Sequence, residues 1–146
     1  MSIVTKSQAQ NPSTASPAAL CPDQGIDVAC EPRFLAEQSD PTAGRFVFSY
    51  RITIRNRGTR WTKLLSRRWI IIDADGARNL VEGDGVVGRQ PALQPGESFE
   101  YSSYCPLATE WGTMEGVYVF ARDDGDRFEI PIPRFYLVAP RSPAGA

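Results

Sequence analysis

Residues 83–91 read GDGVVGRQP, and the first six match the spacing G-x-G-x-x-G. Gly83, Gly85 and Gly88 at these positions are the residue types that let backbone amides approach a pyrophosphate, and Arg89 beside them adds positive charge. A dinucleotide fingerprint also needs a strand leading in and a helix leading out, with its amino end facing the phosphates. Here RQPALQPGESFEY follows Gly88, and Pro91 and Pro95 break helix geometry before another strand begins. The Rossmann reading is therefore rejected, and two readings of the glycines remain. Their amides converge on an anion, or they supply bulges and positive-φ corners where the chain crosses between sheets.

A second candidate is electrostatic. Between Arg45 and Arg68 the chain carries eight basic residues and no acidic one, and Arg51 and Arg55 fall on the same outward face of one strand. They form a basic stripe for phosphate or an acidic partner, or else a solvated face balanced by carboxylates from neighbouring strands. Nucleic acid is not expected, because the stripe lacks interleaved aromatics for base stacking. Asp73, Ala74, Asp75 and Gly76 superficially resemble a calcium loop, but the remaining ligands at the required spacing are missing, so a hairpin turn is the better account. Asp123, Asp124 and Asp126 around Gly125 read in the same way. Among the three tryptophans, Trp69 within RRWIIID belongs to the core, whereas Trp111, in the loop ATEWGTMEG, is the candidate for an exposed partner contact.

Several chemistries are pruned by composition. The 146-residue chain has no histidine, which removes Ser-His-Asp and Cys-His nucleophile systems and His-based zinc or iron sites from a single chain. Cys21, Cys30 and Cys105 are odd in number and fit no C-x-x-C metal pattern, so they read as reduced thiols. A net charge of −1 gives no global attraction to nucleic acid or anionic membrane. No catalytic constellation, metal site or cofactor follows from these residues. No apolar run approaches the ~20 residues that span a bilayer, and the first twenty residues lack a secretion signal's apolar middle, so a cytoplasmic location is expected with no membrane partner.

The elements that must position these residues are strands. In RFVFSYRITIRNRG, Phe46, Phe48, Tyr50, Ile52 and Ile54 share one face and Val47, Ser49, Arg51, Thr53 and Arg55 the other. Runs of the same type occupy 26–35, 64–73, 98–104, 114–122 and 127–138, separated by the turn signals DADG, QPGE and DDGD. No stretch offers an amphipathic helix of ten residues, so an all-β sandwich or barrel is expected. Pro131 and Pro133 cannot donate to a sheet ladder, which predicts that the last strand lies at an edge or carries its prolines with their nitrogens pointing outward. Residues 1–24, rich in Ser, Ala, Pro, Gln and Asn, and the tail 140–146 are expected to be flexible, flanking one domain over 25–139.

The ordered blocks LLSRRWIIIDADG, VEGDGVVGRQPALQPGESFEY, GTMEGVYVF and FEIPIPRFYL closely resemble the ApaG family, from about Ile26 to Val138. The resemblance implies a fibronectin type III or immunoglobulin-like β-sandwich of two antiparallel sheets, in agreement with the strand pattern. It brings no catalytic mechanism. It implies a non-enzymatic binding module for a protein partner, and a link to divalent-cation (cobalt and magnesium) homeostasis. The family's glycine signature maps onto Gly83, Gly85 and Gly88, for which the resemblance implies pyrophosphate binding. The alternative function is therefore a nucleotide-pyrophosphate binder or hydrolase using the Gly83–Arg89 loop, with Asp73, Asp75 or Asp84 holding magnesium. Two departures stand out. Ser66-Arg67-Arg68-Trp69 replaces the commoner S-R-H-W, and Ser102-Ser103-Tyr104 replaces T-S-G, placing a bulky ring at a position read as a turn.

Overall fold

The computed structural model describes residues 25–140. The readings of 1–24 and of Cys21 lie outside it, as does the tail beyond Pro140. Eight strands run in chain order: β1 Ile26–Phe34, β2 Phe46–Asn56, β3 Thr62–Asp73, β4 Arg78–Asp84, β5 Ala92–Leu93, β6 Ser98–Leu107, β7 Trp111–Arg122 and β8 Arg127–Val138. The only helical pieces among the described residues are two three-residue 3-10 turns between β1 and β2. All pairings are antiparallel and form two sheets, one ordered β1-β2-β6 and the other β4-β3-β7-β8, with β5 pairing β3 beyond β4. The expected two-sheet sandwich is the fold. Two of its strands, β4 and β5, are not legible in the sequence, because RNLVEGD mixes charged and apolar residues without a clean alternation and β5 is two residues long.

Between the sheets the period-2 pattern does what it predicts. Phe48, Tyr50, Ile52 and Ile54 of β2 are buried, facing Leu64 and Trp69 of β3, Tyr118 and Phe120 of β7, and Ile130, Ile132, Phe135 and Leu137 of β8. Each such side chain contributes roughly 1.5–3 kcal/mol by leaving water. Trp69 sits at the centre of an aromatic group, its ring 5.5 Å from Tyr50, 5.9 Å from Phe135 and 6.3 Å from Tyr118 in edge-to-face arrangements. The hydroxyls of Tyr101 and Tyr118 are hydrogen-bonded to each other in this interior, which settles two polar atoms that burial would otherwise leave without partners. Asn56 is likewise satisfied: its side chain donates to the carbonyls of Arg60 and Leu93 and accepts from the amide of Gly58.

Two bulges reset which residues face inward. In β8, Met114 and Gly116 of β7 face Phe135 and Ile132, three residues apart, so β8 carries an extra residue at Pro133–Arg134. This is why burial passes from Ile130 and Ile132 to Phe135 and Leu137. β8 is an edge strand as expected, and Pro133 lies where the ladder is already interrupted. In β3 the extra residue is Leu65, after which Arg67, Trp69, Ile71 and Asp73 alternate on the inner side.

Candidate functional site

The β3–β4 hairpin carries the glycine segment, and the structure divides its three glycines. Gly83 is not in a loop: it lies within β4, opposite Arg67. The Arg67 guanidinium packs over it, so that a methyl carbon at Gly83 would stand 2.8 Å from Nη1 and 3.2 Å from Cζ and Nη2. From this seat Arg67 Nη1 donates to the carbonyls of Asp84 and Gly85, at 3.1 and 2.9 Å. Gly85 turns the chain with φ +63°, its amide donating to Leu65 O at 2.7 Å. Val86 and Arg89 then exchange both backbone hydrogen bonds around Val87 and Gly88, at φ +44° and +78°, which is a type I′ turn. The amides of Gly85, Val86 and Arg89 are thus used inside the protein, and those of Val87 and Gly88 stand at the tip. Arg89 extends to the other sheet, its guanidinium 5.5 Å from the Phe99 ring centre.

Arg51 and Arg55 lie on the outer face of the three-stranded sheet, as the alternation predicts, and carboxylates alternate with them. Arg51 Nε donates to Glu31 Oε1 at 3.1 Å, Arg57 pairs with Asp27 at 2.9 Å, and Arg55 is opposite Asp27 in the β1–β2 register. Arg60 spans Asp123 and Asp124 at 3.3 Å each. The Asp126 amide is the first cause that lowers the Asp124 pKa, with Arg60 acting in the same direction. These pairs are exposed and worth little individually.

Trp111 is 42% exposed, but it is the first residue of β7 rather than a loop residue. It stands opposite Val138, and Thr113 opposite Tyr136. Tyr136 and Val138 are 55% and 60% exposed on the same outer face of the larger sheet. The face continues through half-buried Ile72 and Ile70 of β3 to Leu80 of β4, which pairs with Ile70 and is 58% exposed. Ion pairs frame it at Arg134–Glu115 and Arg68–Glu82. Sequence reasoning found Trp111 but missed Tyr136 and Val138, whose outward direction depends on the β8 bulge.

One flank of the sandwich is closed, because β1 lies against β8. On the other flank a cleft of about 400 Å³ is lined by β3, β4 and β6. Tyr50, Trp69, Met114 and Leu107 form its buried floor, Ile71 and Val81 its walls, and Arg67 enters it from β3, while Arg78 of β4, opposite Ile72, borders it from the outer face. Tyr104, expected at a turn, stands within β6, 63% exposed and opposite Ser49 on the outer face of the smaller sheet, at the edge that borders the cleft. Burial raises the Tyr50 pKa most strongly; a hydrogen bond with Ser103 and the charge of Arg67 act the other way. Cys105, also on the floor, is pushed up to about 11 by burial and stays a neutral thiol.

The carboxylates of the hydrolase alternative do not gather. Asp84 faces Ser66 at one end of the hairpin and Asp73 begins the turn at the other, roughly 20 Å along β3. Asp73 Oδ1 accepts the amides of Asp75 and Ala77, so it organises the turn expected of DADG. Among the described residues no three Asp, Glu, Cys or His side chains come together to hold a metal ion, and no helix is long and apolar enough to cross a membrane. Cys30 and Cys105 are free thiols.

Comparison with known proteins places this architecture. Residues 36–122 match the family model described as the ApaG domain. Protein ApaG of Thiobacillus denitrificans is 53% identical over 116 residues, covering 80% of this chain and 91% of the relative. Protein ApaG of Anaeromyxobacter dehalogenans is 52% identical over 119 residues, covering 82% and 94%. The solved structure of the protein described as ApaA from Bordetella pertussis superposes with a TM-score of 0.78 at 46% identity, covering 80% of this chain and 95% of that one. The C-terminal domain of Wzt, at 9% identity and a TM-score of 0.50 over 81% of this chain and 75% of that one, shares the fold alone.

Proposed function

This chain belongs to the ApaG family, and from that premise we propose that it is a non-enzymatic binding module that docks a protein partner on the outer face of its larger sheet. The observation that carries this reading is the grouping of Leu80, Trp111, Tyr136 and Val138, all exposed, on the outer face of one sheet with half-buried Ile70 and Ile72 between them. Contiguous exposed apolar area rimmed by charge is the usual mark of a protein interface, and Trp and Tyr are the side chains most often found at its energetic centre. The matching partner surface is apolar at its middle and polar at its edge. On this reading the role in divalent-cation homeostasis that the family resemblance implies is exercised through the partner.

The test compares two double variants as bait in cell extract. Trp111→Ala with Tyr136→Ser should lose the protein that wild type retains, by at least about thirtyfold in affinity, since truncating a central aromatic commonly costs 2 kcal/mol or more. Arg51→Glu with Arg55→Glu should keep it. The opposite pattern would move the contact to the basic stripe. Calorimetric titration with a dinucleoside polyphosphate, with and without magnesium, tests the nucleotide-pyrophosphate alternative, and saturable heat there would displace this reading.

A further inference from the structure

We propose that the cleft between β4 and β6 is a second, separate binding site, for an amphipathic organic anion: an apolar or aromatic body resting along Trp69, with one carboxylate or phosphate group held by Arg67. The argument begins with the position of Arg67. After the β3 bulge, residues 67, 69 and 71 alternate on the inner side of the sheet, where Trp69 is buried and Ile71 lines the cleft. A guanidinium on that side costs free energy to desolvate unless it is compensated. Its compensation is two backbone carbonyls, those of Asp84 and Gly85. Among the described residues no carboxylate lies within ion-pair distance of Arg67 or of Arg78.

Arginine has five N–H donors, and these bonds occupy only Nη1. The group is also seated, packed over Gly83 and tied to two carbonyls. A fixed cation with donors to spare, next to an apolar floor, is preorganised for a planar or tetrahedral anion. The remaining lining fits the rest of such a ligand. Trp69, Ile71, Val81, Leu107 and Met114 offer apolar surface. At the far end the cleft is lined by Asp73, whose negative charge directs the anionic group to Arg67. The volume of about 400 Å³ is in the range of small-molecule sites, which are mostly apolar with a few placed polar groups.

The test uses the full chain labelled with ¹⁵N and follows its three indole N–H resonances. The probes are 2-naphthoate, 2-naphthyl phosphate and the uncharged 2-naphthalenemethanol. At least one charged probe should move the Trp69 resonance saturably while Trp61 and Trp111 stay in place, and should bind at least about tenfold more tightly than the alcohol. The tighter of the two identifies the head group as carboxylate or phosphate. Arg67→Gln should abolish the preference for charge and Arg67→Lys should keep part of it. Ser103→Trp fills the cleft from the opposite sheet and should remove binding of all three probes. Gly88→Ala, at the turn tip, should leave the binding of all three probes unchanged. The proposal is overturned if no probe moves Trp69, if the alcohol binds as well as the anions, or if folded Arg67→Gln retains the charge preference. Should Arg67→Gln fail to fold, undiminished binding by Ser103→Trp overturns it instead. A peptide with a free C-terminal carboxylate that displaces the bound naphthyl anion from Trp69 at a lower concentration would overturn the small-molecule assignment.

Discussion

Replacing each glycine of the G-x-G-x-x-G segment by alanine should give three different costs, because the structure uses the three positions for three different purposes. At Gly88 the added methyl meets no atom within 4 Å, so only the φ of +78° matters, and the left-handed penalty sets the cost at about 1–2 kcal/mol. Gly85 has the same kind of strain at φ +63°, and its methyl would lie 2.2 Å from Arg89 O and 2.9 Å from Arg89 C. Backbone on both sides cannot yield without opening the Val86–Arg89 turn, whose two hydrogen bonds contribute about 1 kcal/mol each, so the total should be roughly 3–4 kcal/mol. Gly83 is in a strand, and its methyl meets only the movable end of Arg67. Alanine there gains about 0.5–1 kcal/mol over glycine and loses the two part-exposed Arg67 bonds, for a net change within about 1 kcal/mol of zero. Urea unfolding of the three variants, compared at a common m-value, measures this. A second measurement isolates Gly83: combining Gly83→Ala with Arg67→Ala should leave no penalty for the methyl. Equal costs at all three sites, or a largest cost at Gly83, would refute the reasoning and favour a loop in which the glycines act as one anion cradle.

Three further perturbations test the packing that holds the surfaces in place. Val87 is a β-branched residue at φ +44° in a turn type that prefers Asn-Gly, so Val87→Asn should stabilise the protein by about 1 kcal/mol in the same urea assay. Burial is the largest cause raising the pKa of both Tyr101 and Tyr118, so the folded chain keeps their hydroxyls protonated while the unfolded chain ionises near pH 10. Their contribution is therefore complete below pH 10 and falls above it by about 1.4 kcal/mol per pH unit for each tyrosine, and Tyr101→Phe with Tyr118→Phe should flatten that decline measured between pH 9 and 11. Asn56→Ala strands the carbonyls of Arg60 and Leu93 and the amide of Gly58, and should cost about 2–4 kcal/mol; a loss below 1 kcal/mol in thermal or urea unfolding would mean that water replaces those bonds.

The sequence by itself determined the fold class, because alternation is a local property. Phe48, Tyr50, Ile52 and Ile54 lie on one face of any strand that contains them, and two layers are the way to bury such faces. It also determined the turns at DADG, QPGE and DDGD and the edge position of the proline-bearing strand, each set by residues adjacent in the chain. What tertiary structure decided begins at the bulges. One extra residue at Pro133–Arg134 turns Tyr136 and Val138 outward beside Trp111, and one at Leu65 turns Arg67 inward beside Trp69. A bulge is defined by the strand across from it, so residue spacing within one strand does not reveal it. The purpose of Gly83 was hidden for the same reason: the atom that needs its missing side chain belongs to Arg67, sixteen positions away and opposite only once β3 and β4 have paired.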